Sequence, residues 1–235
     1  MPSTTILIPT YNERGNIALL IPEIFSTNPD VAILVIDDSS PDGTAEEVRS
    51  LMPTYPHLSL LVREKKEGLG EAYKAAMKQT LADPNVRFVM TMDADGSHAV
   101  EYVAALRKAG TEYDLVVGSR YITGGGIENW EKWRFLLSYW GNFYSRTITS
   151  LPVRDMTAGF MHINADLLRK VDFSTMRASG YAFAMELKYR LVCSLKGSVK
   201  EVPIIFKSRR EGESKISNHI IREGLKTPWR IRFQK

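Results

Sequence analysis

Two aspartates one residue apart, Asp93 and Asp95, follow an apolar run at residues 86–92. Two other apolar runs end in acid in the same way. Residues 5–9 lead into Thr10-Tyr11-Asn12-Glu13, and residues 31–36 lead into Asp37-Asp38. Carboxylates drawn together repel one another unless a cation or hydrogen-bond donors offset them. An Asp-x-Asp triplet just past a strand offers hard oxygen ligands to a divalent ion. Mg²⁺ typically takes one or two protein carboxylates and completes its shell with water and substrate phosphate. A lone triplet is more often a solvated turn or a helix cap. Here three acidic strand ends point to an anionic substrate met through a metal.

The surrounding pattern explains how these groups can meet. Apolar runs at 5–9, 31–36, 58–62, 86–92 and 114–118 read as strands. Between them, 16–25, about 44–52, 68–81 and 100–109 read as helices, with Asn16 and Thr44 or Asp42 as caps. Strands apolar throughout and alternating with helices predict a mostly parallel sheet covered on both faces. In such sheets ligands bind beyond the carboxyl ends of the strands. The alternation breaks near Gly118. A Gly124-Gly125-Gly126 loop, an aromatic helix and a last strand over 199–206 follow. Gly68-Leu69-Gly70 lacks the rest of a phosphate loop and reads as a helix N-terminal turn.

Length and composition bound the function. The chain has 235 residues, 44% hydrophobic and 25% charged, which excludes a disordered, collagenous or disulfide-built protein. The single cysteine, Cys193, reads as a core residue in a helix and fits a reducing compartment. The four histidines are scattered and suggest no metal cluster. The first ten residues do not resemble a signal peptide. The longest aliphatic run, 31–36, is six residues, against about 18 for a spanning helix. A cytoplasmic protein, soluble or peripheral to a membrane, is expected. The charge of +4 is uneven: residues 206–235 carry nine Lys/Arg against three Asp/Glu, a net +6 that leaves −2 for the rest. A basic tail on a near-neutral body predicts an anionic partner.

Six segments in order carry a resemblance. They are Ile8-Pro9-Thr10-Tyr11-Asn12-Glu13, Ile36-Asp37-Asp38-Ser39-Ser40-Pro41-Asp42-Gly43-Thr44, Met92-Asp93-Ala94-Asp95, Gly118-Ser119-Arg120-Tyr121, Asp155-Met156-Thr157-Ala158-Gly159-Phe160, and the stretch from Phe206 to Lys215. Together they resemble the family 2 glycosyltransferases, and among them the dolichyl- or polyprenyl-phosphate mannose synthases. The resemblance implies an α/β, Rossmann-like nucleotide-diphosphosugar transferase fold of the GT-A type. It implies inverting transfer of mannose from GDP-mannose to a polyprenyl or dolichyl phosphate, with Mg²⁺ or Mn²⁺. By the same resemblance Pro9, Tyr11, Glu13, Ile36 and Asp38 line the guanosine end of the donor. Asp93, Ala94 and Asp95 meet ribose, diphosphate and metal. Ser97 stands where some members place a glutamine ligand. Arg120, Arg209 and Lys215 face the phosphates. Asp155 lies where related transferases have an acceptor-side acid; a helix cap or a partner for Arg154 fits it equally. The catalytic domain is expected over 1–215, with a basic amphipathic segment over 216–235.

The chemistry agrees with what the resemblance implies. A nucleoside diphosphate gathers negative charge as it leaves, and fixed cations stabilise it. A lipid monophosphate, with a second pKa of about 6 as in phosphoserine, arrives largely as the nucleophile and needs no strong base. Trp133, Leu136, Leu137, Trp140, Phe143, Tyr144 and Ile148 recur at helical spacing. The usual meaning is a core-facing stripe, but Trp and Tyr also favour membrane interfaces. Ile216, Ile220, Ile221 and Leu225, then Trp229, Ile231 and Phe233 among basic residues, suggest contact with a membrane surface or a membrane subunit rather than nucleic acid. Alternatives are the same chemistry with UDP-glucose, and a metal-dependent nucleotidyltransferase, which would release diphosphate.

Overall fold

The computed structural model describes residues 3–178, 180–207 and 218–233. Nine strands and eight α-helices follow in chain order: β1 (Thr4–Thr10), α1 (Arg14–Thr27), β2 (Ala32–Asp37), α2 (Thr44–Leu51), β3 (Leu58–Val62), α3 (Leu69–Leu81), β4 (Phe88–Thr91), α4 (Tyr102–Ala109), β5 (Leu115–Ser119), β6 (Gly126–Ile127), α5 (Lys132–Thr149), β7 (Met161–Asn164), α6 (Ala165–Leu168), α7 (Gly180–Tyr189), β8 (Val199–Pro203), β9 (Ile205–Phe206) and α8 (Asn218–Phe233), these being the elements among the described residues. A π-helical turn, Arg190–Ser194, extends α7.

Seven strands form one sheet in the order β3-β2-β1-β4-β7-β5-β8. All neighbours are parallel except at β7, which runs antiparallel to both β4 and β5. The central strands are apolar on both faces because both faces are covered. Ile6 and Ile8 of β1 pack with Ile17, Leu20, Ile21 and Val103 on one side. Leu7 packs with Ala76, Met77, Phe183 and Leu187 on the other. β6 and β9 make a separate two-stranded parallel ribbon.

Several boundaries differ from the sequence expectation. α1 starts at Arg14, so Asn16 lies inside its first turn, and its amide donates to Glu13 Oε2 at 2.7 Å instead of capping. α2 is preceded by Gly43 at φ +85°, a left-handed turn that favours glycine. Asp42 holds that turn by accepting from the Thr44 N–H and hydroxyl at 3.0 and 2.6 Å. The last strand is two, broken at Ile204. β7 lies in a stretch that alternation did not mark as a strand. Cys193 is only half-buried, in the π-turn, and burial still pushes its thiol pKa up.

The aromatic stripe of α5 does not face the core. Trp133, Leu136, Leu137, Trp140 and Phe143 are exposed, while Tyr144 and Ile148 are half-buried. The face turned inward carries Asn142, Ser145 and Thr149. Asn142 explains this: its Oδ1 accepts from the N–H groups of Met156 and Thr157 at 2.6 and 3.2 Å, a polar seam with the loop before β7. α8 turns Thr227 and Ile231 inward and leaves Leu225, Trp229 and Phe233 outside.

His162, in the middle of β7, is 1% exposed and stacks on Phe88. Its Nδ1 has no hydrogen-bond partner. Burial, and then Arg107, lower its pKa to about 4. The unfolded chain binds a proton near pH 6.5 and the folded protein resists it, so stability is full above about pH 6.5 and falls as pH drops toward about 4. From these values, urea unfolding should show a loss of about 2 kcal/mol between about pH 7 and about pH 5 from this residue. The His162→Gln protein should lack that part of the slope. An identical slope in both proteins would remove His162 as its source.

Candidate active site

Three strand ends and one loop build the site. At the end of β2, Asp37 is fully buried and accepts from the Ser40 N–H at 2.9 Å, the Ser40 hydroxyl at 2.5 Å and the Thr10 hydroxyl at 3.1 Å. It therefore ties the β1 and β2 ends together. Asp38 is 6% exposed and pairs with Arg63 at 2.7 Å. Burial raises the Asp38 carboxyl and outweighs Arg63, which lowers it. Tyr11 is exposed beyond β1, with the Lys66 ammonium 3.5 Å above its ring. Glu13 anchors the turn into α1: its N–H donates to the Thr44 hydroxyl at 3.0 Å. Ile36 is fully buried and Pro9 half-buried beside them.

Beyond β4, Ala94 and Asp95 are 4% and 7% exposed, and Asp93 is half-buried. Asp95 Oδ1 accepts from the Ser97 N–H at 3.0 Å and the Ser97 hydroxyl at 2.6 Å. Ser97 thus orients the carboxylate. His98, 3% exposed and stacked on Phe160, accepts the Asp93 N–H on Nδ1 at 2.9 Å. Its Nε2 lies 3.8 Å from Asp93 Oδ2, so the imidazole holds the Asp93 backbone and stands beside its carboxylate. No group of three or more His, Cys, Asp or Glu among the described residues forms a closed metal cage. Two carboxylates at one strand end are the hard oxygen ligands that fit Mg²⁺ or Mn²⁺.

The loop 155–159 enters through β7. The Thr91 hydroxyl donates to Gly159 O at 2.5 Å, and a Cβ on Gly159 would lie 3.8 Å from Asp93 Oδ1. At its other end Asp155 is fully buried and pairs with Arg120, not with Arg154. Arg120 donates from its backbone N–H and Nε to Asp155 Oδ2 at 2.9 and 2.7 Å, from Nη2 to Oδ1 at 2.7 Å, and from Nη2 to the Thr157 hydroxyl at 2.8 Å. Burial pushes the Asp155 carboxyl up, but the Arg120 charge and hydrogen bonds outweigh it and hold the pKa below the usual value. A carboxylate so held is a poor proton acceptor. The backbone N–H groups of Arg154 and Asp155 are taken by Glu201 at 2.9 and 3.0 Å.

The Arg120 guanidinium also lies 5.3–5.9 Å from the rings of Tyr121, Trp130 and Phe206. Arg134 stacks 4.0 Å above Trp130. Ile127, Trp130, Lys132, Phe135 and Leu136 line an open cleft of about 320 Å³ beside them. Gly125 permits the close approach of its loop, since a Cβ there would lie 2.5 Å from Ser119 O. Phe206 links the two halves by meeting His98 edge-on at 5.8 Å, and the Lys207 N–H donates to Ser97 O at 3.2 Å. Lys207 is thereby tied to the turn that orients the Asp95 carboxylate. Arg209 and Lys215 lie outside the described residues.

The structure brings together Pro9, Tyr11, Glu13, Ile36, Asp38, Asp93, Ala94, Asp95 and Ser97 on one rim, and Arg120 with Asp155 on the next. Sequence reasoning missed Arg63, Lys66, His98, Trp130, Arg134 and Lys188. For most of them no spacing gave a signal. Lys188 stands between Glu186 and Arg190, so the sequence does not mark it as the buried one.

The chain matches the model of glycosyl transferase family 2 over residues 5–172. It is 40% identical to a polyprenol monophosphomannose synthase of Mycolicibacterium smegmatis, over 94% of this chain and 84% of that one. It is 37% identical to an undecaprenyl-phosphate mannosyltransferase of Micrococcus luteus, over 93% and 89%. Among solved structures it superposes on a glucosyl-3-phosphoglycerate synthase from Mycobacterium tuberculosis, bound to Mn²⁺, UDP and product, with a TM-score of 0.71 at 15% identity, covering 98% of this chain and 80% of that one. A mannosyltransferase from Pyrobaculum calidifontis in complex with GDP-Man and Mn²⁺ follows at TM-score 0.62 and 17% identity, covering 100% and 65%. At these identities the solved structures establish the α/β fold, and the sequence matches establish the rest: the chain is a member of glycosyltransferase family 2.

Proposed function

We propose that this glycosyltransferase moves mannose from GDP-mannose to a polyprenyl monophosphate, with inversion, on the cytoplasmic face of a membrane. The observation that carries the reading is a juxtaposition. The carboxylates at the end of β4 connect through His98 and Phe206 to Arg120, and Arg120 lies 5.9 Å from the ring of Trp130, which lines an apolar cleft that also holds Lys132. Such a cleft suits an amphiphile with a phosphate head. The two curated relatives, at 40% and 37% identity, support a polyprenyl phosphate acceptor and mannose as the sugar.

In the reaction an oxygen of the acceptor phosphate forms a bond to C1 of mannose. The bond from C1 to the donor diphosphate breaks, and GDP leaves with the electron pair. The acceptor, with a second pKa of about 6, attacks as the dianion, so no side chain needs to take a proton. Asp93 and Asp95 would hold the divalent cation, which neutralises charge on the leaving diphosphate. Ser97 and His98 keep those carboxylates aimed. Asp38, paired with Arg63, and Tyr11 with Lys66 line the nucleoside end. Arg120 carries positive charge to the point where donor and acceptor phosphates converge. By the family resemblance, Arg209 and Lys215 would add to it. Without cations, two unit anions about 4 Å apart oppose each other by about 4 kcal/mol at an effective dielectric near 20.

The outer face of α5 and α8 fits the lipid surface that such an acceptor requires. Trp133, Leu136, Trp140 and Phe143 project from α5, and Leu225, Trp229 and Phe233 from α8. The helices are joined by the Tyr144 hydroxyl donating to Leu225 O at 3.0 Å and Trp229 Nε1 donating to the Tyr144 oxygen at 2.8 Å. Exposed Lys226, Arg230 and Arg232 flank them. No helix among the described residues is long and apolar enough to cross a membrane. An aromatic face with basic flanks favours the interface of an anionic bilayer.

Four measurements test this reading. Labelled GDP-mannose, offered beside other sugar nucleotides with a short polyprenyl phosphate, should send label into the organic phase. The Asp95→Ala protein, folded by circular dichroism, should lose at least about a hundredfold in turnover, the scale of one main electrostatic group; near-normal turnover would remove Asp95 from the reaction. Arg209→Ala, and more mildly Lys215→Ala, should lower turnover of lipid phosphate by about ten- to a hundredfold, the worth of one charge-assisted contact. Donor affinity by calorimetry should fall less; the opposite split would place both residues on the donor alone. Sedimentation with anionic liposomes should weaken with salt and in a Trp133→Ser, Trp140→Ser protein. Surface changes are preferred to deletion of α8, because Ile231 is part of the core. Binding unaffected by either change would point to a membrane subunit.

A further inference from the structure

We propose that Lys188 is a positioning residue for the acceptor side of the reaction: it holds loop 155–159 from beneath and balances the carboxylates around Arg120. The inference rests on the function proposed above. Lys188 lies on α7, fully buried. Its ammonium donates to Met156 O at 3.0 Å and Ala158 O at 2.6 Å. Those carbonyls flank Thr157, which shares the Arg120 guanidinium with Asp155. The same loop ends at Gly159 against Asp93. One ammonium therefore fixes the strip of backbone that separates the metal carboxylates from Arg120.

A lysine is an expensive way to brace a loop. Long charged side chains are almost never fully buried unless paired, and an apolar residue would fill the space without desolvating a charge. The charges acting on Lys188 are Asp155 of the loop, Arg120 at the end of β5 and Glu201 of β8. From α3 and α8, which also pack on α7, no charged side chain among the described residues acts on it. With Lys188 protonated, two cations stand against two carboxylates and the cluster is neutral. Without that proton one negative charge is left in excess, beside the point where an anionic acceptor must dock. Burial, offset in part by Asp155, lowers the Lys188 pKa to about 7. The balance therefore shifts near neutral pH.

The experiment compares the full-length protein with Lys188→Arg and Lys188→Met. It uses labelled GDP-mannose and a short polyprenyl phosphate, from about pH 6.5 to about pH 8.5, where the acceptor is already mostly dianionic. In the wild type the KM for lipid phosphate should rise about tenfold as pH passes through the Lys188 value, the equivalent of about one pKa unit of interaction. Arginine stays charged throughout, so Lys188→Arg should lose the rise. Lys188→Met should show the high KM at every pH. Donor affinity by calorimetry should change by no more than about twofold in either variant, because uniform loss would mean a general structural defect. A flat wild-type profile overturns the inference, as does a rise that persists in Lys188→Arg. So does a folded Lys188→Met protein with wild-type acceptor KM, or an equal loss of donor affinity. A wild-type protein that labels no lipid at any pH overturns instead the proposed function, and this inference with it.

Discussion

Carboxylates crowd the carboxyl edge of the sheet, and their mutual repulsion is the constraint the rest of the structure answers. Asp37, Asp38, Asp95 and Asp155 are all buried, in a region that also holds Asp93. Each is offset differently. Asp37 accepts from neutral hydroxyls and a backbone N–H, and its work is to join β1 to β2. Asp95 accepts from the N–H and the hydroxyl of Ser97, both neutral donors. Asp38 and Asp155 meet arginines. In Asp38 burial wins over Arg63 and the carboxyl rises; in Asp155 Arg120 wins over burial and the carboxyl falls. One edge thus holds carboxylates of distinct character.

The reversal of β7 divides that edge into two halves. Up to β4 the sheet is parallel throughout, so the loops beyond β1, β2 and β4 line one rim. β7 runs the other way between β4 and β5, so the loop that enters it, 155–159, arrives at the same edge from above. That brings Asp155 to Arg120 across 35 residues and Gly159 O to Thr91 across 68. Lys188 reaches the loop from α7 across the second core. A purely parallel sheet would have put this loop at the opposite edge.

A second consequence concerns the surface. α5 docks by hydrogen bonds through Asn142 rather than by its apolar stripe. Its aromatic residues are left outside, beside those of α8. Exposed large apolar side chains in a contiguous group commonly mark an interaction face. The cleft of Ile127, Trp130, Phe135 and Leu136 opens at the same helix.

The sequence by itself determined the parallel half of the fold. Buried strands are apolar throughout and short polar turns follow them, so β1 to β5, the intervening helices and the acidic strand ends could be read locally. It also determined the pairing of Asp93 with Asp95 on one rim, because two residues in one turn cannot separate. Only the tertiary structure decided the rest. Met161–Asn164 is only four residues long, too short for its alternation to mark a strand, and its antiparallel place depends on partners far away in the chain. Periodicity located the stripe on α5 but not the direction it faces, since which side of a helix is buried depends on the energy of its neighbours. Asp155 could be assigned to Arg154 or to a cap because adjacent residues are visible in sequence. Its partner, Arg120, is set by the meeting of two strand ends, and only the folded chain brings those charges within reach.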